Sequence, residues 1–105
     1  MAPNIIEVTA HTQFPIKLSP TNFPVWRKQV LATLTGLGLD HFVDGSTKPP
    51  SKVLLADATK INPEYLPWFR QDQILLGALL GSCSDSIQHI VSSAETSCQA
   101  FDRLT

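Results

Sequence analysis

Residues 61–81 read INPEYLPWFRQDQILLGALLG, and this stretch decides the fold. Asn62 followed by Pro63 opens a helix: an Asn side chain accepts from a free N–H of the first turn, and a proline placed next has no N–H to leave unpaired. Behind that start, Trp68, Leu75, Leu76, Leu79 and Leu80 occupy two adjacent helical rows, and Phe69, Ile74 and Ala78 widen the apolar surface. A helix of this pattern is buried on most sides. Pro67 is the awkward residue, because in a helix begun at Pro63 it removes the bond to that residue's carbonyl. The regular helix is therefore expected from near Leu66.

Working towards the N-terminus, Phe23, Trp26, Val30, Leu34 and Leu37 recur at the helical period behind a cap at Asn22 or Thr21, with Pro24 safe in the first turn. This earlier helix is expected to stop at Gly36 or Gly38. Leu39, Phe42 and Val43 then form a turn or two of helix before Asp44-Gly45 reverses the chain. Residues 46–60, with Pro49-Pro50 and the small apolar group at 53–56, read as an irregular loop holding at most a helical turn. FPIKL at 14–18 is a short extended segment, and residues 1–13 have no sustained period and read as a flexible N-terminal arm.

Towards the C-terminus, Ser84 caps a short helix carrying Ile87, Ile90 and Val91, and Thr96 caps another carrying Ala100, Phe101 and Leu104. That last pattern runs to the end without a stop signal, which reads as a segment of a longer polypeptide. The fold expected is all-α, a compact bundle of about five helices with a short extended N-terminal segment and the loop at 46–60.

Composition narrows the function. The 105 residues, 43% hydrophobic, suffice for one core and are too few for two ordinary domains. A formal net charge of -1 lacks the positive field that sequence-independent binding to a phosphate backbone needs, so this segment alone is not expected to hold RNA. No apolar run of about 18 residues is present to span a bilayer, and the start lacks signal-peptide character, so a cytoplasmic chain is expected, with nuclear passage open to it. Cys83 and Cys98 read as thiols in a reducing compartment.

Catalytic chemistry finds no pattern. His11, His41 and His89 stand outside any His-Glu-x-x-His or Cys-x-x-Cys arrangement, and Gly36-Leu37-Gly38 follows a helix where a dinucleotide loop follows a strand. No catalytic residue, metal or cofactor is expected. Asp72, four residues after Trp68 and near an apolar row, would be a general base in an enzyme. With no second carboxylate beside it, it reads as a structural group paired with Arg27, Lys28 or the helix cap near Asn22. Trp26 and Trp68 read as core residues that meet.

In order and spacing, Asn22-Phe23 with Trp26, Asp44-Gly45 with prolines behind it, Asn62-Pro63, Trp68 with Asp72, and Ala100-Phe101 before Leu104 resemble the N-terminal part of the Gag polyprotein of Copia-type LTR retrotransposons, the plant form above all. The likeness covers residues 14–105, and Pro67 departs from the family's usual residue. The resemblance implies a helical, capsid-like domain whose copies associate with one another into a virus-like particle around the element's RNA. The zinc knuckle through which such proteins bind RNA, Cys-x2-Cys-x4-His-x4-Cys, has no counterpart here, so RNA contact would fall to a module outside this segment. A rival implied by the same fold is a domesticated Gag-derived adaptor that holds a host peptide in a helical groove. Neither reading identifies the residues of an assembly interface.

Overall fold

The computed structural model describes residues 5–54 and 56–104. Among the described residues five α-helices, α1 (Ala10–Gln13), α2 (Phe23–Leu37), α3 (Tyr65–Gly81), α4 (Asp85–Val91) and α5 (Ser97–Leu104), are joined by a 3-10 turn at Asp40–Phe42 and by loops. The bundle is all-α, as expected from the periodicity. Among the described residues, β pairing is limited to two isolated bridges, Leu18 with Cys83 in parallel and Val53 with Ile61 in antiparallel.

The apolar period of α2 buries Trp26, Val30 and Leu34 on one face. Gly38 ends it in the left-handed region, φ 74°, a conformation that costs a glycine little and lets the next N–H turn back. Leu39 N–H accordingly donates to the Leu34 carbonyl at 2.8 Å, and the Leu39 side chain enters the core. In α3 the helix begins at Tyr65, so Pro67 falls in the first turn, where an N–H finds no partner within any helix. The proline therefore costs no hydrogen bond. Its buried face carries Leu75, Ala78 and Leu79, but also Gln71 and Asp72.

Helix α5 packs on α3 and α4, and α1 packs on α3. Phe14, Leu18, Phe42, Val43, Cys83, Val91, Ala100 and Phe101 complete the core together with Val8.

Several expectations change in the structure. Residues 1–4 lie outside the description, but residues 5–13 are docked: Val8 is buried and α1 lies on α3. A single buried valine and a few backbone bonds fix them, too little pattern to register as a period. The loop at 46–60 contains a small hairpin in place of a helical turn. Leu54 N–H donates to the Lys60 carbonyl at 3.0 Å, and Asn62 N–H to the Lys52 carbonyl at 3.0 Å. Asp57 shapes its bend by accepting from Thr59 N–H and Oγ1; Leu55 lies outside the described residues.

Candidate functional site

The residues singled out by sequence fall into three places. At the first, Trp26 lies between Phe23 and Phe101, with both ring centroids 6.1 Å away. The Arg27 guanidinium stands 6.0 Å from the Phe101 ring. Trp26 Nε1 donates to Ser82 Oγ at 3.1 Å, and Ser82 Oγ donates to the Leu79 carbonyl at 2.7 Å. A buried indole N–H is thus satisfied through a serine held by its own helix end.

Asn22 supports this place from outside. Its side chain does not cap α2; it turns back, accepting from Ser19 N–H at 2.8 Å and donating to the Lys17 carbonyl at 2.8 Å. The polar group is used to fold the preceding turn.

The second place is the α3–α5 contact. Asp72 is fully buried, and its carboxylate accepts from Ser97 N–H at 3.2 and 3.3 Å. Ser97 Oγ donates to the Asp72 carbonyl at 2.9 Å. Asp72 therefore serves a helix start at α5, where a carboxylate also meets the positive end of the helix, and not Arg27, Lys28 or the turn at Asn22. Helices α3 and α5 pack together, which sequence spacing alone could not reveal. Burial raises the Asp72 carboxyl above the ordinary carboxylate range, outweighing the lowering by the bonds from Ser97 and Gln73. Thr96 Oγ1 accepts from Gln99 N–H at 3.2 Å and caps α5 as its sequence position implied.

The third place is the start of α3. Asn62 Oδ1 accepts from Glu64 N–H at 3.0 Å, so it organises the turn before the helix with Pro63 beside it. Trp68 is only half-buried. It stacks on Phe42 at 6.0 Å and lies 6.2 Å from Tyr65, so its ring partners differ from those of Trp26, although both tryptophans pack into the one core. Tyr65 stacks on Phe69 at 5.7 Å, and Lys52 Nζ lies 5.9 Å from the Tyr65 ring. Around this stack Val53, Ile61, Leu66 and Phe69 are exposed, Ile61 to 78%. Val53 and Ile61 pair across the antiparallel bridge, Leu66 and Phe69 lie one turn apart on α3, and Glu64 and Arg70 are exposed on the same stretch of helix start.

Sequence reading missed a set of glutamines. Gln71 is buried; its Oε1 accepts from Ile6 N–H at 2.7 Å and its Nε2 donates to the Ile6 carbonyl at 2.8 Å. Gln29 treats Ile16 in the same way, at 2.9 Å for both bonds. The signal available was the place of Gln71 on the apolar row between Trp68 and Leu75.

Reactive chemistry is sparse. Cys83 and Cys98 are free; burial pushes the Cys83 thiol up to about 11, and burial with the carboxylates of Asp102 and Asp44 raises Cys98, which suppresses both thiolates. Among the described residues no group of three or more His, Cys, Asp or Glu is placed to hold a metal ion. No described helix is long and apolar enough to cross a membrane.

Comparison with known proteins places this geometry in context. The chain is 42% identical over 89 residues to the Retrovirus-related Pol polyprotein from transposon RE2 of Arabidopsis thaliana, and equally so to that from transposon RE1. The match takes in 84% of the chain and 6% of each relative's length. No family model matches the chain, and no solved structure matches it. The similarity supports a retrotransposon origin.

Proposed function

We propose that this chain, of retrotransposon origin, is a structural Gag capsid domain of a Copia-type element, a unit that associates with its own copies to build a virus-like particle around the element's RNA. The observation that carries the reading is the exposed apolar face of Val53, Ile61, Leu66 and Phe69 at the start of α3. A shell needs many contacts that are individually weak, of millimolar to high-micromolar strength or about 4 to 6 kcal/mol, so that misplaced subunits can leave while the closed particle persists. A small apolar patch suits that strength. In this reading the chain performs no catalysis and works in the cytoplasm, and RNA is held by a module outside the segment.

Sedimentation of the chain beside electron microscopy of a longer Gag polypeptide tests the proposal. The chain is expected to be mainly monomeric when dilute, the longer protein to form particles, and Phe69→Asp to abolish the particles without unfolding the domain. A nanomolar dimer of the chain, with no particles from the longer protein, overturns it.

The second reading, an adaptor for a host peptide, draws on a different observation: an open groove of about 440 Å³ beside α3, lined by Ile74, Gly77 and Ala78 and by residues 7–10.

A further inference from the structure

The segment lying against α3 is bound as a peptide ligand is bound. Along residues 5–9, Ile5, Glu7 and Thr9 are exposed, Ile6 is half-buried and Val8 is buried, which is the inside-outside alternation of an extended strand. Gln71 holds the Ile6 backbone through both its N–H and its carbonyl, as a neighbouring strand would. This clamp reads main chain only, so specificity comes from the two inward positions, Ile6 and Val8.

The connection of this segment to the body lies on α3 without burying a side chain. Next in the chain is α1, four residues without one buried side chain; its close approach is at Ala10, 3.3 Å from where a Cβ on Gly81 would lie. Beyond α1 the chain is fixed again, by the fully buried Phe14 and by the Gln29 clamp on Ile16. Residues 9–13 therefore form a hinge between two anchors. Unwinding four helical residues lengthens their span from about 6 Å to about 13 Å and releases the segment while the bundle stays closed.

We propose that the strip of α3 around Gln71 is an exchange site, filled within one molecule by its own residues 5–9 and open to the same residues of a second copy. A second copy is the occupant because every copy presents the one segment already seen to fit, on a hinge that does not disturb the core. The inference does not rest on the shell reading, since it concerns a different face and does not require a particle.

The test uses the full chain. Val8→Asp keeps its own segment out and leaves the Gln71 strip intact; Gln71→Ala removes the clamp and leaves the segment intact. A fluorescent peptide of residues 5–13, IIEVTAHTQ, is expected to bind the Val8→Asp chain at least about tenfold more tightly than the unsubstituted chain, because the tethered segment no longer competes. Mixing the two variants is expected to give a one-to-one dimer in sedimentation, with each variant alone monomeric. A folded Val8→Asp chain that fails to bind the peptide in a saturable way overturns the proposal. Equal binding of a scrambled apolar peptide would assign the Gln71 strip to other extended partners and overturn the choice of a second copy. Should Val8→Asp fail to fold, hydrogen exchange on the unsubstituted chain and Gln71→Ala decides. The Ile6 amide is expected to exchange far ahead of the Leu75 amide, and Gln71→Ala to speed it by about tenfold. Exchange of Ile6 only in step with Leu75 would show that the segment is never released.

Discussion

The surroundings of Trp26 and Trp68 differ in what covers them. Around Trp26, α5 brings Phe101 over the indole, and Ser82 takes its N–H, so the region is closed in both the apolar and the polar sense. Around Trp68 the stack of Phe42, Tyr65 and Phe69 continues outward until Phe69 is exposed. The first region is finished by the chain itself. The second keeps exposed apolar side chains among the described residues, and it is the face on which the proposed association would fall.

The sharpest way to break that division is to truncate each ring. Trp26→Ala is expected to cost about 3 to 5 kcal/mol, and Trp68→Ala less, about 2 to 3 kcal/mol, because part of its surface stays exposed. Urea unfolding followed by circular dichroism measures both, and equal losses would remove the distinction. The same contrast is expected in fluorescence, where iodide quenches Trp68 in the Trp26→Phe chain and barely touches Trp26 in the Trp68→Phe chain.

A smaller effect belongs to the α3–α5 contact that closes the Trp26 region. Asp72→Ala leaves the Ser97 N–H without its acceptor and is expected to cost about 1 to 3 kcal/mol. The thermal midpoint should fall accordingly, and an unchanged midpoint would show that α5 is held by its apolar face alone.

In the Trp68 region, Leu66→Ser is expected to change stability by no more than about 0.5 kcal/mol. A loss near that of Trp26→Ala would place Leu66 inside the core.

The smallest effect is in pH. Because the Asp72 carboxyl is raised in the folded chain, the folded state holds its proton more tightly than the unfolded state. Its contribution to stability is therefore greatest below the ordinary aspartate value near 3.8 and is lost as pH rises through the folded value. Compared with Asp72→Asn, the unsubstituted chain should lose stability with rising pH across that window. A difference that is flat, or of opposite slope, would mean that the bonds from Ser97 outweigh burial.

Helix identity was legible in the sequence wherever an apolar row and a terminal signal coincided. Trp26, Val30 and Leu34 with Gly38 behind them define α2 without further information, and Thr96 marks the start of α5. What was not legible depends on which elements meet. Asp72 announces a buried carboxylate, but its partner is a backbone N–H of a helix 25 residues away. The docking of residues 5–13 rests on Gln71, a residue type usually found in water, satisfied here by main chain that carries no sequence signal. The exposed face at the start of α3 escaped for the opposite reason. Phe69 and Ile61 are residue types expected inside, and only the fold shows that the described residues leave them exposed.

The bond from Trp26 to Ser82 joins residues 56 positions apart, and Phe101 stacks on the same indole from still later in the chain. Such contacts form slowly, because the intervening chain must be gathered before they are rewarded. During synthesis from the N-terminus, α2 can coil as soon as it emerges, yet its indole is not fully covered until α5 has followed. The domain is therefore expected to reach its native packing late, in a single cooperative step near the end of its own translation, and until then Trp26 offers an apolar ring to whatever chaperone or neighbouring nascent chain is near.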